Sequence, residues 1–179
     1  MKKILLIVII LFSLVGCGGK TAKSAAESYL MKYRNLDSEV LVDLENIIET
    51  ENLTRNQEEK YRDILKKQYK DLSYEIIEEE YDNEISYVTV KIEVYDLYKA
   101  QSDASSYLNS NPEAFYNENN EYDVNKYIDY KLDKMKNMLD RIEYTVTFTV
   151  TKEDDKYYVE QPTEESLEKI HGIYNYEMY

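Results

Sequence analysis

The sequence predicts an α+β fold, with N-terminal helices packed on a mainly antiparallel sheet of about four strands and a helical insertion between two hairpins. Helical apolar spacing fills the first part of the chain, and two later segments alternate apolar with polar residues at period two. A polar stretch of about 40 residues with its own helical spacing separates the alternating segments, far beyond the usual connection of about 4 to 6 residues.

The first helix is marked by Ala22, Ala25, Ala26, Tyr29, Leu30 and Tyr33, which recur every three to four residues behind the candidate N-cap Thr21. A second starts at Ser38 and keeps the period through Val40, Leu41, Leu44, Ile47 and Ile48. A third begins at Thr54, with Tyr61, Ile64, Leu65 and Tyr69 along one face. The pattern then changes. Val88, Val90, Ile92 and Val94 alternate with Thr89, Lys91 and Glu93, and the turn formers Asp82, Asn83 and Glu84 join this strand to Ser73–Tyr81 as a hairpin.

The second hairpin pairs Ile142, Tyr144, Val146, Phe148 and Val150, interleaved with threonines, with Tyr157–Glu160 across the polar run Lys152–Lys156. Between the hairpins the spacing predicts a short helix after Ser102, a break at Asn109–Pro112 and a longer helix from Asp123 to about Asp140. A last short helix is capped by Thr163, carries Leu167 and Ile170, and has Gly172 near its end.

Lys2 and Lys3 precede 13 uncharged residues, Ile4–Gly16, that end at Cys17, the pattern of a signal peptide over residues 1–16. A transmembrane helix needs about 20 apolar residues, so this run is too short to span. The segment Leu14, Val15, Gly16, Cys17 resembles the lipobox of bacterial lipoproteins at all four positions. That resemblance implies diacylglycerol on the Cys17 thiol, cleavage before it, and an extracytoplasmic domain anchored to the cell membrane. Burial contributes about 0.8 kcal/mol per CH₂, and two chains suffice for stable anchoring where one does not. Residues 17–20 would then be the lipidated cysteine and a short flexible tether that holds the single domain, residues 21–179, close to the bilayer.

Composition narrows the function classes. The chain carries 36 Asp and Glu against 22 Lys and Arg, a net charge of −14, which becomes −16 when Lys2 and Lys3 leave with the signal. Such a charge repels nucleic acid and anionic lipid over a Debye length of about 8 Å, so membrane contact is expected through the covalent anchor alone. Cys17 is the sole cysteine, which excludes an intramolecular disulfide. Twenty tyrosines without tryptophan accompany many Asn, Lys, Ile and Glu, a mixture that A/T-rich codons favour and that suits half-buried positions with a wet hydroxyl.

The order of three helices, a hairpin, a second hairpin and a terminal helix resembles the nuclear-transport-factor-2-like, or cystatin-like, domains of lipoproteins from Gram-positive bacteria. Its anchors are Ala25–Leu44, with a polar break at Asn35–Asp37, and the closing hairpin with Tyr157–Pro162. The insertion around residues 99–140 departs from that pattern. The resemblance implies a small-pocket lyase or isomerase as one function, with Asp, His or Tyr on the inner sheet face. Here the expected face, Val88, Val90, Ile92, Val94, Ile142, Val146, Phe148 and Val150, offers only Tyr144 as a polar group.

Other constellations are weaker. His171, the sole histidine, sits at a helix end, where a cation is structurally favourable. Glu78, Glu79, Glu80 and Asp82 read as a solvated turn. The run Asn117–Asp123 lacks the glycine and the twelfth-position glutamate of a calcium loop. No catalytic residue, metal ligand or cofactor motif is expected. The reading is a lipid-anchored, non-enzymatic module whose insertion contacts an unknown protein or small molecule; the alternative is the small-pocket enzyme.

Overall fold

The computed structural model describes residues 19–82 and 84–178. The signal peptide, the lipobox and Cys17 lie outside the described residues.

The helices form where caps and spacing favour them. Thr21 accepts from the Ser24 amide and opens α1 (Ala22–Asn35), whose buried face is the predicted set from Ala22 to Tyr33. It ends at Leu36, a left-handed residue (φ 55°) that turns the chain into α2 (Ser38–Thr50), which buries Val40, Leu44 and Ile48. The Thr54 amide donates to Gln57 Oε1 at the start of α3 (Arg55–Lys70).

An antiparallel sheet in the order β1-β2-β3-β4 follows, built from β1 (Ser73–Asp82), β2 (Ile85–Tyr95), β3 (Arg141–Glu153) and β4 (Lys156–Val159). The central register places Val88 opposite Phe148, Val90 opposite Val146, Ile92 opposite Tyr144 and Val94 opposite Ile142. All but the half-buried Ile142 are buried, and the Phe148 ring lies 5.3 Å from that of Tyr29 on α1. The threonines face out, with Thr89 and Thr147 hydroxyls 3.1 Å apart. A register shift between Ile76 and Glu78 pushes Ile77 outward on edge strand β1, and such a bulge blunts an edge against pairing with other chains.

The insertion comprises α4 (Leu97–Ser110), a 3₁₀ turn (Pro112–Phe115) and α5 (Val124–Lys136). It differs from the sequence expectation at both ends. Helix α4 starts directly after β2 rather than after Ser102, because Asp96 caps it by accepting from the Lys99 amide at 2.9 Å and Leu97, Ala100 and Ala104 supply its buried face. Helix α5 stops at Lys136, where Asn137 caps it through backbone and side-chain bonds to the Asp133 carbonyl, and Leu139 is left exposed. Helix α6 (Glu164–His171) is capped by Thr163 and closed by Gly172 at φ 73°.

A buried glutamine joins α3 to the sheet end. Gln68 Nε2 donates to the Tyr95 carbonyl at 3.1 Å, and the Tyr95 amide donates back to Gln68 Oε1 at 2.9 Å, so the side chain continues the strand ladder. Gly172 passes so close that a β-carbon there would clash with Gln68 and the Tyr95 carbonyl. Gly19, expected in a flexible tether, is instead held to β4: its amide donates to the Tyr157 carbonyl (3.1 Å) and its carbonyl accepts from the Tyr157 amide (3.2 Å). Among the described residues no helix is long and apolar enough to cross a membrane.

Candidate functional site

Three places on the molecule carry groups capable of recognition or chemistry, and the first is the inner sheet face. There α1 covers β2 and β3 with tyrosine, leucine and alanine, and Ser86 and Tyr144 are buried polar residues among apolar neighbours. Among the described residues the buried Tyr144 hydroxyl has no hydrogen-bond partner, and burial raises its pKa above the ordinary tyrosine range. A neutral phenol in this setting is a weak acid, and the charge of the buried Asp96 disfavours its ionisation further.

The second is a row of buried rings under α6. Tyr29 and Tyr33 hydroxyls lie 3.3 Å apart, the Tyr33 ring meets Tyr69 edge-on at 5.1 Å, and the Tyr69 hydroxyl bonds His171 Nδ1 at 2.9 Å. Burial pushes Tyr33 up to about 12 and holds His171 down at about 4. His171 is therefore a neutral imidazole that fastens α6 to α3, not the helix-end cation its sequence position suggests. The removal of water that keeps these groups neutral also suits them to packing rather than to proton exchange.

The third is the insertion. Its interior is aromatic: Phe115 is buried with Tyr107, Tyr127 and Tyr130 around it, at centroid distances of 6.0, 5.6 and 5.5 Å. The loop Asn117–Asp123 is closed by Asn117 Oδ1, which accepts from the Asn119 and Glu121 amides, and by Lys126 Nζ on the Tyr116 carbonyl at 2.6 Å. Among the described residues no three His, Cys, Asp or Glu side chains converge as a metal site.

Helix α5 is locked to α3 by Gln57, whose amide nitrogen donates to the Asn125 carbonyl (3.3 Å) and Asp129 Oδ1 (3.1 Å), and by Lys60 on Asp133 (2.8 Å). Gln57 is 2 % exposed, so the join is both buried and polar. Above it the N-terminal turns of α5 and the α2–α3 connection enclose an open groove of ≈ 440 Å³. Leu53, Val124 and Ile128 supply its apolar surface, with Val124 52 % exposed, and Glu51, Asn52, Asn125 and Lys131 its polar rim. Exposed Tyr122 adjoins it in sequence. A smaller cleft of ≈ 170 Å³ at the other end of α5 is lined by Lys67, Tyr95, Leu97, Met135 and Met138, with the Lys67 ammonium 3.4 Å from the Tyr95 ring centre.

Sequence reasoning pointed to the insertion but missed its second wall, Glu51–Thr54, and the part Gln57 plays in joining the two. The available signal was the Thr54 to Gln57 spacing of a helix cap; the reach of the same side chain to α5 depends on a contact far along the chain. Glu78 and Glu80 are exposed, while Glu79 turns inward beside Lys23 at 3.5 Å. No family model, curated protein or solved structure matches this chain.

Proposed function

We propose that the protein is an extracytoplasmic lipoprotein, anchored by a diacylglycerol on Cys17, whose domain is a non-enzymatic module that binds a protein segment in the groove between α5 and the α2–α3 connection. The observation that carries the binding reading is the exposure of apolar side chains in that groove. Val124 stands half in solvent beside Leu53 and Ile128, on a wall held rigid by the Gln57 and Lys60 contacts. Rigid apolar surface with a polar rim is the usual anatomy of a recognition patch, because the ordering cost of binding has already been met in the free protein.

The sheet supports the same reading. Its inner face is occupied largely by valine, isoleucine and phenylalanine packed on α1, a filled core rather than an open pocket, with Ser86 and Tyr144 as its buried polar residues. The lipid anchor is supported by Leu14–Cys17 and the leader before it.

A photo-crosslinking residue at Val124, compared with one at Thr147 on the outer sheet face, tests the groove in intact cells. A discrete adduct at Val124 that Ile128→Glu abolishes, without one at Thr147, is the expected result. Equal labelling at both positions, or none at Val124, would rule the groove out.

A further inference from the structure

We infer that the domain stands on the bilayer in a fixed sense: the sheet end carrying the β3–β4 turn faces the lipid, and the end carrying the insertion is held away from it. The inference rests on Cys17 being the lipid anchor, and the structure supplies the rest through Gly19.

Gly19 is docked by three independent features. Its amide and carbonyl both bond Tyr157 on the otherwise free edge of β4. Its Cα lies so close to Ser24 Oγ and the Ala25 amide that any β-carbon would clash there, so the site accepts glycine alone. The residues that follow enter directly the Thr21–Ser24 cap of α1. Only Gly18 separates Cys17 from this point. Two residues of extended chain span at most about 7 Å, so the lipidated cysteine is confined to that distance from the β4 edge.

The register places this point on the molecule. Tyr157 pairs with Lys152 near one end of β3, whereas the insertion leaves the sheet at Tyr95 and rejoins it at Arg141, which pair with each other at the opposite end. About eleven residues of strand lie between, roughly 36 Å at about 3.3 Å per residue. A point attachment still permits tilting, and charge opposes it. The mature chain carries −16, so an anionic bilayer repels whatever part of the body swings within about 8 Å of it. The attached end is held down by the lipid, and the end that is free to move away carries the base of α4 and α5.

The anchor occupies the sole thiol, so an introduced cysteine gives a unique labelling position. Full-length chain with Glu153→Cys or Leu139→Cys is expressed in a bacterial host, and its lipid is verified by mass spectrometry. The labelled protein is reconstituted in vesicles of phosphatidylglycerol and phosphatidylcholine carrying a headgroup energy acceptor. Glu153 is exposed beside the β3–β4 turn and Leu139 is 79 % exposed beside Arg141. Energy transfer should be at least about twofold stronger from position 153 than from position 139, given the ~36 Å between the two ends. A flexible Gly/Ser linker inserted between Gly18 and Gly19 leaves the docking intact and should shrink that contrast, as should Gly19→Val, which prevents docking. Equal transfer from the two positions on lipidated protein, or a contrast that the linker leaves unchanged, would overturn the orientation alone; protein without the lipid would overturn the anchor as well.

Discussion

Gly172→Ala tests the join between α3, the sheet end and α6. Two costs add. Gly172 has φ 73°, a left-handed conformation that costs an alanine roughly 1 kcal/mol. The new methyl would also overlap Gln68 Nε2 and the Tyr95 carbonyl. Gln68 is 1 % exposed and makes both bonds to Tyr95, so displacing it leaves buried polar groups unpaired at about 1 to 3 kcal/mol. The expected loss is therefore about 3 kcal/mol, a large share of a domain stability of about 5 to 15 kcal/mol.

Asparagine separates the two causes, since it tolerates the left-handed region but carries the same β-carbon. Gly172→Asn should thus recover less than half of the loss. In the double variant Gly172→Ala with Gln68→Ala, the costs should fall short of additive, because the clashing partner has been removed. The measurement is the urea midpoint of each purified variant of the chain from Gly18 onward, read by circular dichroism. A loss below about 0.5 kcal/mol for Gly172→Ala, within the range of ordinary surface changes, would refute the packing argument.

Phe148→Ala should cost about 3 to 5 kcal/mol, since the ring is 1 % exposed against Tyr29, whereas Thr147→Ala on the outer face should cost under about 1 kcal/mol; equal midpoint shifts would contradict the assigned faces. His171 titrates at about 4 in the fold against 6.5 without burial, so the unfolded chain takes up its proton first as pH falls. Wild type should lose about 3 kcal/mol between those pH values that His171→Gln does not lose, measured as the difference in their stability profiles; identical profiles would rule out the buried neutral imidazole. Cys17→Ala should abolish incorporation of a clickable fatty acid and leave an uncleaved precursor, and persistent labelling would place the anchor elsewhere.

Much of the fold was legible because its signals are local. Thr21, Thr54 and Thr163 mark helix starts within a few residues of the apolar spacing they introduce, and the alternation from Val88 to Val94 and from Tyr144 to Val150 leaves one choice of buried face. Several features that escape the sequence depend on distant partners. Gln68 reads as an ordinary polar helix residue until Tyr95, 27 positions later, arrives beside it. His171 reads as a helix-end cation until burial, with Tyr69 bonded to its ring, makes it neutral. The start of helix α4 escapes for a local reason: its buried face uses Ala100 and Ala104, whose small side chains give little periodic signal. Gly19 looked like linker because glycine is common in linkers, and only the approach of α1 to β4 shows why no other residue fits.

The distribution of charge bears on what the α5 groove selects. Many cations are engaged within the domain: Arg62 with Glu45 at 2.6 Å, Lys60 with Asp133 at 2.8 Å, Lys91 between Glu75 and Glu143, and Arg141 with Glu93 at 3.1 Å. Surface pairs of this kind contribute only about 0 to 1 kcal/mol each, so they do little for stability. Their effect is on the field outside, because they occupy basic groups and leave the acidic surplus facing solvent. Glu51 and Lys131 balance at the groove itself, so the net negative charge of the chain is what accelerates the encounter of a basic segment with Val124 and Leu53 and slows that of an acidic one. Crosslinking of a basic partner from Val124 should accordingly weaken, and that of an acidic one strengthen, as salt rises from about 0.05 to 0.5 M, over which the Debye length shortens from about 14 to 4 Å. A yield that is indifferent to salt would mean that the partner is recognised by its apolar side chains alone.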